Sequence, residues 1–519
     1  MLFNSYIFIF LFLPFTLLVF YLIGGQGHHK IAISWLVATS LFFYGWWNPA
    51  YLGLILASIF FNYAIGVAIG NTNDRNLRIW LLIFGVLANI SLIGYFKYAD
   101  FFISNVNLTF GTEFNLKNII LPLAISFFTF QQIAYLVDAY KSETKEYNFL
   151  HFCLFVTFFP QLIAGPIVHH KDMLPQFGKN NVYKLNIETL AIGITIFSLG
   201  LFKKVILADN IALYASPVFD FSEQGITLTF FESWCGALAY TFQLYFDFSG
   251  YSEMAIGVAL MFGIRLPLNF NSPYKSVNII DFWRRWHMTL STFLRDYLYI
   301  PLGGSRKGKP RRYLNLIITM LLGGLWHGAG WTFIAWGALH GFYLVINHGW
   351  HAFRLALRQD LKMSTLWGRT VAKLVTFIAI VIAWVFFRAE SLDSAINILK
   401  SMMGFNGLSL PWEWQANLKG YDAWLVEYGI SFDGAFYNNL VESWVIGCTL
   451  LLALFIISWF MPSTIEIMKK YNPVLQSDSN VTQNTNFNFT ILWAVSIGFL
   501  LGVSVLALGQ ASEFLYFQF

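Results

Sequence analysis

DFWRRWHMTLSTFLRDYLYIPLGG, residues 281–304, and GGLWHGAGWTFIAWGALHG, residues 323–341, set arginines, aspartates and histidines into an otherwise apolar chain. Ionisable side chains are costly in hydrocarbon, so those found there face a protein interior or a water-filled cavity and stand as functional candidates. His287 and His327 are the two that the rest of the sequence has to account for.

Around these stretches the chain of 519 residues is 57% hydrophobic and 19% aromatic but only 11% charged. Soluble proteins carry about a quarter charged residues, so the composition is that of an integral membrane protein. Apolar runs near bilayer-spanning length, about 20 residues, recur from Phe3–Ile23, Ile31–Trp47, Tyr51–Ile69 and Ile79–Tyr95 through Leu374–Phe387, Val441–Phe460 and Ile491–Leu508. Continuous runs fit helices, which satisfy their own backbone, whereas barrel strands alternate. The expected fold is therefore all-α: a polytopic transmembrane helix bundle of roughly 11–13 helices at about 20 residues per span. One membrane domain covers 1–519, with polar excursions near 404–436 and 472–488. Asp281–Gly304 is too polar for a simple span and too apolar for a loop, which predicts a re-entrant or interfacial segment. The first run lacks a basic flank and a small-residue cleavage site, so it reads as a retained helix.

The net charge of +5 sits mostly in short loops. There it orients the chain by the positive-inside rule, and no nucleic-acid motif accompanies it. Lys30, Arg75, Arg78 and Lys141 fall on one side under that rule, with the N-terminus outside. The densest basic cluster, SRKGKPRR at Ser305–Arg312, is expected in the cytosol, either as a topology signal or as a site attracting the phosphates of a donor. Cys153, Cys235 and Cys448 are isolated and read as small buried hydrophobes, and no metal-ligand spacing is present. His169 and His170 follow a proline and read as loop residues.

On helical spacing, Gly323, Gly324, Gly330 and Trp331 share a face with His327, giving the imidazole an open approach or, alternatively, a packing seam. Arg284, His287 and Ser291 form a second stripe, and Asp281 is spaced to pair with Arg285. Asp247 and Glu253 need partners if buried, Arg284 and Arg285 being candidates by charge.

QLIAGP, QLYFDFSGYSEMAIG and the two stretches quoted at the outset together resemble the membrane-bound O-acyltransferase superfamily, in its alginate O-acetylation branch. The similarity runs from the opening MLFNSYIFIFLFLP to the closing EFLYFQF. Its hallmark histidine in a WHG context is matched by His327, and the upstream WRRWH position by His287. Gly330 departs from the pattern, since related sequences often carry Asn there. The resemblance implies a helix bundle with an intramembrane funnel or tunnel in the bacterial inner membrane. It also implies transfer of an acyl group from a cytosolic thioester, acetyl-CoA, toward an exported or cell-envelope polysaccharide. No tightly bound cofactor is expected, and an extracytoplasmic SGNH-type acetyltransferase is the expected partner.

That chemistry requires a base for the hydroxyl proton and donors for the developing oxyanion. His327 is assigned as base or as transient acyl carrier. His287 is expected to orient donor or acceptor or to bond the thioester carbonyl, with Arg284, Ser291, Trp326 and Trp331 as substrate contacts. The alternatives are a transporter and a non-catalytic scaffold of an acetylation complex. No internal repeat of the transporter kind is present.

Overall fold

The computed structural model of the chain describes residues 1–143, 148–360, 365–415, 418, 420–438, 443–475, 489–509 and 515. Among the described residues it is helical almost throughout, the one β pairing joining Leu408–Ser409 in parallel to Ile430–Ser431. The all-α class read from the sequence is the class observed. Six described helical runs are long and apolar enough to cross a membrane: Phe8–Gly25, Ala50–Asn71, Arg75–Phe110, Ile187–Glu223, Leu366–Arg388 and Ile491–Gly509. The remaining runs are shorter or more polar. Phe149–Val168, for example, breaks at Phe158 ahead of Pro160 into Phe149–Thr157 and Phe159–Leu162, because proline cannot continue the preceding hydrogen-bond ladder.

The chain forms two compact units, each discontinuous in sequence. One comprises Met1–Phe202, Ser249–Asn269 and Thr464–Gln510; the other comprises Lys203–Phe248, Phe270–Ser463 and Ala511–Phe519. Of the excursion near 472–488, residues 476–488 lie outside the described residues.

In the first unit Leu13–Gly25 packs on His29–Gly45, Ile125–Tyr140 on both Ala50–Asn71 and Arg75–Ile93, and Ile187–Phe202 on Ile491–Leu506. Polar side chains are gathered inside. Ser58 Oγ and Asn62 Nδ2 both donate to Gln132 Oε1, at 2.6 and 2.8 Å, and Asn89 Nδ2 donates to Asn62 Oδ1 at 2.6 Å. Large apolar side chains such as Ile491, Leu492, Phe499 and Leu506 are exposed instead. Polar groups inward with an apolar exterior is the arrangement that a hydrocarbon solvent demands.

Glu253 is held in this unit by Thr464, whose Oγ1 donates to Glu253 Oε2 at 2.8 Å, and not by an arginine. His169 and His170 are also more than loop residues. His169 Nδ1 lies 3.9 Å from Asp138 Oδ2, and His170 opens the His170–Phe177 helix with its ring buried near Tyr135 and Phe155. Packing on aromatic rings and a carboxylate some 30 residues away was invisible in their local sequence.

The second unit handles its charges the same way. A π turn at Lys203–Ala208 turns Lys204 inward, and its Nζ reaches Asp209 Oδ1 at 2.7 Å and Asp247 Oδ1 at 2.5 Å. The partner of Asp247 is therefore a lysine from the preceding helical run, not Arg284 or Arg285. Fully buried Glu232 accepts from Thr229 N and Phe436 N, each at 2.8 Å, so it pins the start of the Phe230–Met261 helix to the 404–436 excursion.

Removing one member of a buried pair strands the other and costs about 3–5 kcal/mol. Lys204→Ala is accordingly expected to lose the monodisperse peak of the detergent-solubilised protein in size-exclusion chromatography, while Lys204→Arg keeps most of it. Equal peaks for wild type and Lys204→Ala would show that the pair contributes little.

Candidate functional site

All the histidines of the two opening stretches lie in the second unit. Residues 281–304 form neither a continuous span nor an open loop. Ile279–Trp283 is a short helix whose N-cap Asn278 accepts from Asp281 N at 2.9 Å. The chain then turns, and a second helix runs Met288–Leu294. His287 sits at the break with φ 41° and ψ 54°. The left-handed region costs a non-glycine residue about 1–3 kcal/mol and recurs at functional sites.

The break undoes the predicted stripe. His287 is fully buried, Arg284 is exposed, and Ser291 Oγ donates to the Trp286 carbonyl at 3.3 Å. Helical spacing holds only while the helix continues, and here it stops after Trp283. The Asp281–Arg285 pair does form, at 2.9 Å, as does the local Arg295–Asp296 pair, at 2.6 Å.

The next helix, Lys309–His327, starts after Gly308 (φ 87°) with Pro310 in its first turn, and His327 is its last residue. Gly328 and Gly330 are extended, and a new helix, Trp331–Ala356, begins at once. Gly330 and Trp331 therefore do not share the face of His327. Of the expected neighbours, Gly323 and Gly324 remain, and Gly324 does not open an approach. A Cβ there would collide with the Phe333 carbonyl, one at Gly337 with the Met320 carbonyl, and one at Gly341 would lie 3.1 Å from Ile317 Cα. These glycines form a packing seam between the two helices, of the kind that small residues allow in membranes.

At the end of that seam His327 is buried, edge-on to three rings: Trp326 at 4.8 Å, Trp336 at 5.2 Å and Phe387 at 5.0 Å between centroids. His287 is edge-on to Phe248 at 4.8 Å and lies 6.3 Å from the Trp326 ring. One indole, Trp326, thus contacts both histidines. Trp331 is 54% exposed.

A third histidine escaped the sequence reading. His340 is fully buried on the Trp331–Ala356 helix, 4.8 Å from the Trp336 ring, and its Nδ1 accepts from Trp283 Nε1 at 3.3 Å. The available signal was its i, i+4 spacing from Trp336, which puts both on one face.

The basic cluster does not join the histidines. Residues 305–311 are exposed around the start of the Lys309–His327 helix, and 18 steps of 1.5 Å put Lys309 roughly 27 Å along the axis from His327. Arg312 Nη2 instead meets His348 Nδ1 at 2.7 Å, tying that helix start to the far part of Trp331–Ala356.

The model of the membrane-bound O-acyltransferase family matches residues 137–389, a stretch that contains the three histidines and their aromatic neighbours. The peptidoglycan O-acetyltransferase of Helicobacter pylori is 50% identical over 439 residues, covering 79% of this chain and 81% of that protein. This chain belongs to the membrane-bound O-acyltransferase family. It is a multi-pass membrane O-acyltransferase, of the alginate-type branch. The probable alginate O-acetylase of Pseudomonas aeruginosa is 43% identical over 458 residues, 85% of this chain and 84% of that one. The teichoic acid D-alanyltransferase of Streptococcus thermophilus is 30% identical over 283 residues, 51% and 68% respectively.

The seam gives this acyltransferase a test of position. Gly324→Val drives a side chain into the Phe333 carbonyl, and such overpacking costs about 1–3 kcal/mol and shifts the backbone. Acyl transfer per folded molecule is expected to fall sharply. Gly330→Ala, whose added Cβ meets nothing nearer than 3.5 Å, should leave it unchanged. Equal activity in the two variants would show that the seam does not set the position of His327.

Proposed function

We propose that the chain transfers an acetyl group from a cytosolic thioester, acetyl-CoA, toward a hydroxyl of an exported or cell-envelope polysaccharide, in the bacterial inner membrane. An extracytoplasmic SGNH-type acetyltransferase is the proposed partner that completes delivery. The printed names of the relatives support the acceptor class, since peptidoglycan, alginate and teichoic acid are all surface polymers. The observation that carries the mechanism is the setting of His327: a buried imidazole at a helix end, fixed by three aromatic rings.

In this reading His327 is the general base. As the acceptor oxygen bonds to the acyl carbon, its proton passes to the imidazole. The tetrahedral oxyanion then collapses, the carbon–sulfur bond breaks, and the departing thiolate takes the proton back. Atoms and charge balance, and the histidine ends neutral. His287, held in a strained backbone and linked through Trp326, orients donor or acceptor. Trp326, whose ring approaches both histidines, would contact the substrate. Arg284, Ser291 and Trp331 would act at its periphery, given the exposure of Arg284 and Trp331 and the engagement of the Ser291 hydroxyl with backbone.

General-base catalysis contributes about a hundredfold to ten-thousandfold. His327→Ala is expected to reduce O-acetyl esters on isolated envelope polymers by that order at matched membrane expression. Wild-type ester content in the variant would overturn the assignment.

A further inference from the structure

His340 is the buried group that the proposed mechanism leaves unused, and its hydrogen bonding fixes its chemistry. An indole N–H is a donor only. Trp283 Nε1 lies 3.3 Å from His340 Nδ1, so Nδ1 accepts and the proton of the neutral ring resides on Nε2. That Nε2–H, on the side of the ring away from Trp283, meets no acceptor among the described residues. Neither does the indole Nε1–H of Trp336, a side chain only 1% exposed.

Buried donors find partners in the great majority of cases, and one left without costs about 1–3 kcal/mol. Here two such donors sit on rings 4.8 Å apart, one turn apart on the same helix, and the nearer ring is 5.2 Å from His327. The surroundings are aromatic: Phe282, Trp283, Tyr343 and Trp384 all approach the His340 ring. A pair of donors in an apolar setting calls for a ligand atom that accepts and has no proton to place. A sugar hydroxyl fits poorly, because its own proton would need an acceptor. A carbonyl oxygen fits, and fits better as it gains negative charge.

We propose that the His340 Nε2–H and the Trp336 Nε1–H are hydrogen-bond donors to the carbonyl oxygen of the transferred acyl group, holding the oxyanion that forms beside His327. This rests on the reading of His327 as the base. Neither ring makes or breaks a covalent bond or releases its proton; both donate more strongly as charge develops on oxygen. Trp283 acts through His340 as a positioning residue, since its N–H selects the tautomer that donates from Nε2.

The test uses membrane vesicles holding the full chain, acetyl-CoA as donor and isolated envelope polymer as acceptor, with kcat and KM determined separately. Loss of one oxyanion donor lowers kcat about 100- to 1000-fold. Trp336→Phe is expected to show that loss with little change in KM for acetyl-CoA. It removes an unsatisfied donor while keeping a ring, so its melting temperature in detergent should be equal to or above that of wild type. His340→Gln, which keeps an N–H donor, should retain more activity than His340→Phe.

Wild-type kcat in Trp336→Phe would overturn the proposal, as would a melting temperature that falls in step with activity, the mark of a purely structural role. Full activity in His327→Ala would defeat the base assignment beneath it. Inactive His327→Ala beside fully active Trp336→Phe would defeat the oxyanion pair alone.

Discussion

The close backbone approach between Lys309–His327 and Trp331–Ala356 sets the geometry of the histidine-bearing region. With Gly324 against the Phe333 carbonyl, Gly337 against the Met320 carbonyl and Gly341 against Ile317, neither helix rotates or slides without a clash. A three-residue connection, 328–330, with Gly328 and Gly330 extended, closes the hairpin. His327 is therefore delivered at a fixed height by the end of one helix, while Trp336 and His340 descend from the other at helical intervals. In a bilayer, where apolar surface gains little by association, such van der Waals fit carries much of the work of holding helices together.

The buried charges are settled elsewhere. Lys204 joins Asp209 and Asp247, Glu232 takes backbone N–H groups, and Glu253 takes the Thr464 hydroxyl. Each removes a carboxylate from the list of groups that would otherwise need a functional explanation. The rings around His327 and His340 are, by contrast, Trp, Phe and Tyr side chains, rigid and bulky.

The all-helical class was legible because composition and run length follow directly from the solvent: lipid requires long apolar segments with self-satisfied backbone. The short-range pairs Asp281–Arg285 and Arg295–Asp296 were legible for the same local reason. What failed was the extrapolation of helical spacing across a break. Gly330 and Trp331 stand three and four residues from His327 but beyond the end of its helix, and Arg284 parts from His287 where the chain turns after Trp283. Gly328 and Gly330 do mark the first stop, since glycine just past a periodic run is a helix-end signal, but no glycine or proline marks the turn after Trp283. The partner of Asp247 was missed for a related reason. Arg284 and Arg285 are nearer to it along the chain than Lys204 is, but a π turn in a preceding run decides which cation faces it.

Sequence adjacency also misplaced the basic cluster. SRKGKPRR precedes the WHG histidine by only a few turns of chain, which invites the idea that donor phosphates held by the cluster lie beside the imidazole. Those turns make one unbroken helix, and roughly 27 Å separate its ends, close to the hydrocarbon thickness of a bilayer, about 30 Å. That distance is far beyond ion-pair or hydrogen-bond reach, so the cluster makes no direct contact at His327. A donor anchored there would need an arm long enough to carry its thioester along the helix. The positive-inside effect needs no such arm, and Arg312 is already committed to His348. The cluster thus fits the positive-inside reading better than the donor-binding one, and the aromatic-lined end of the same helix is where the proposed chemistry would lie.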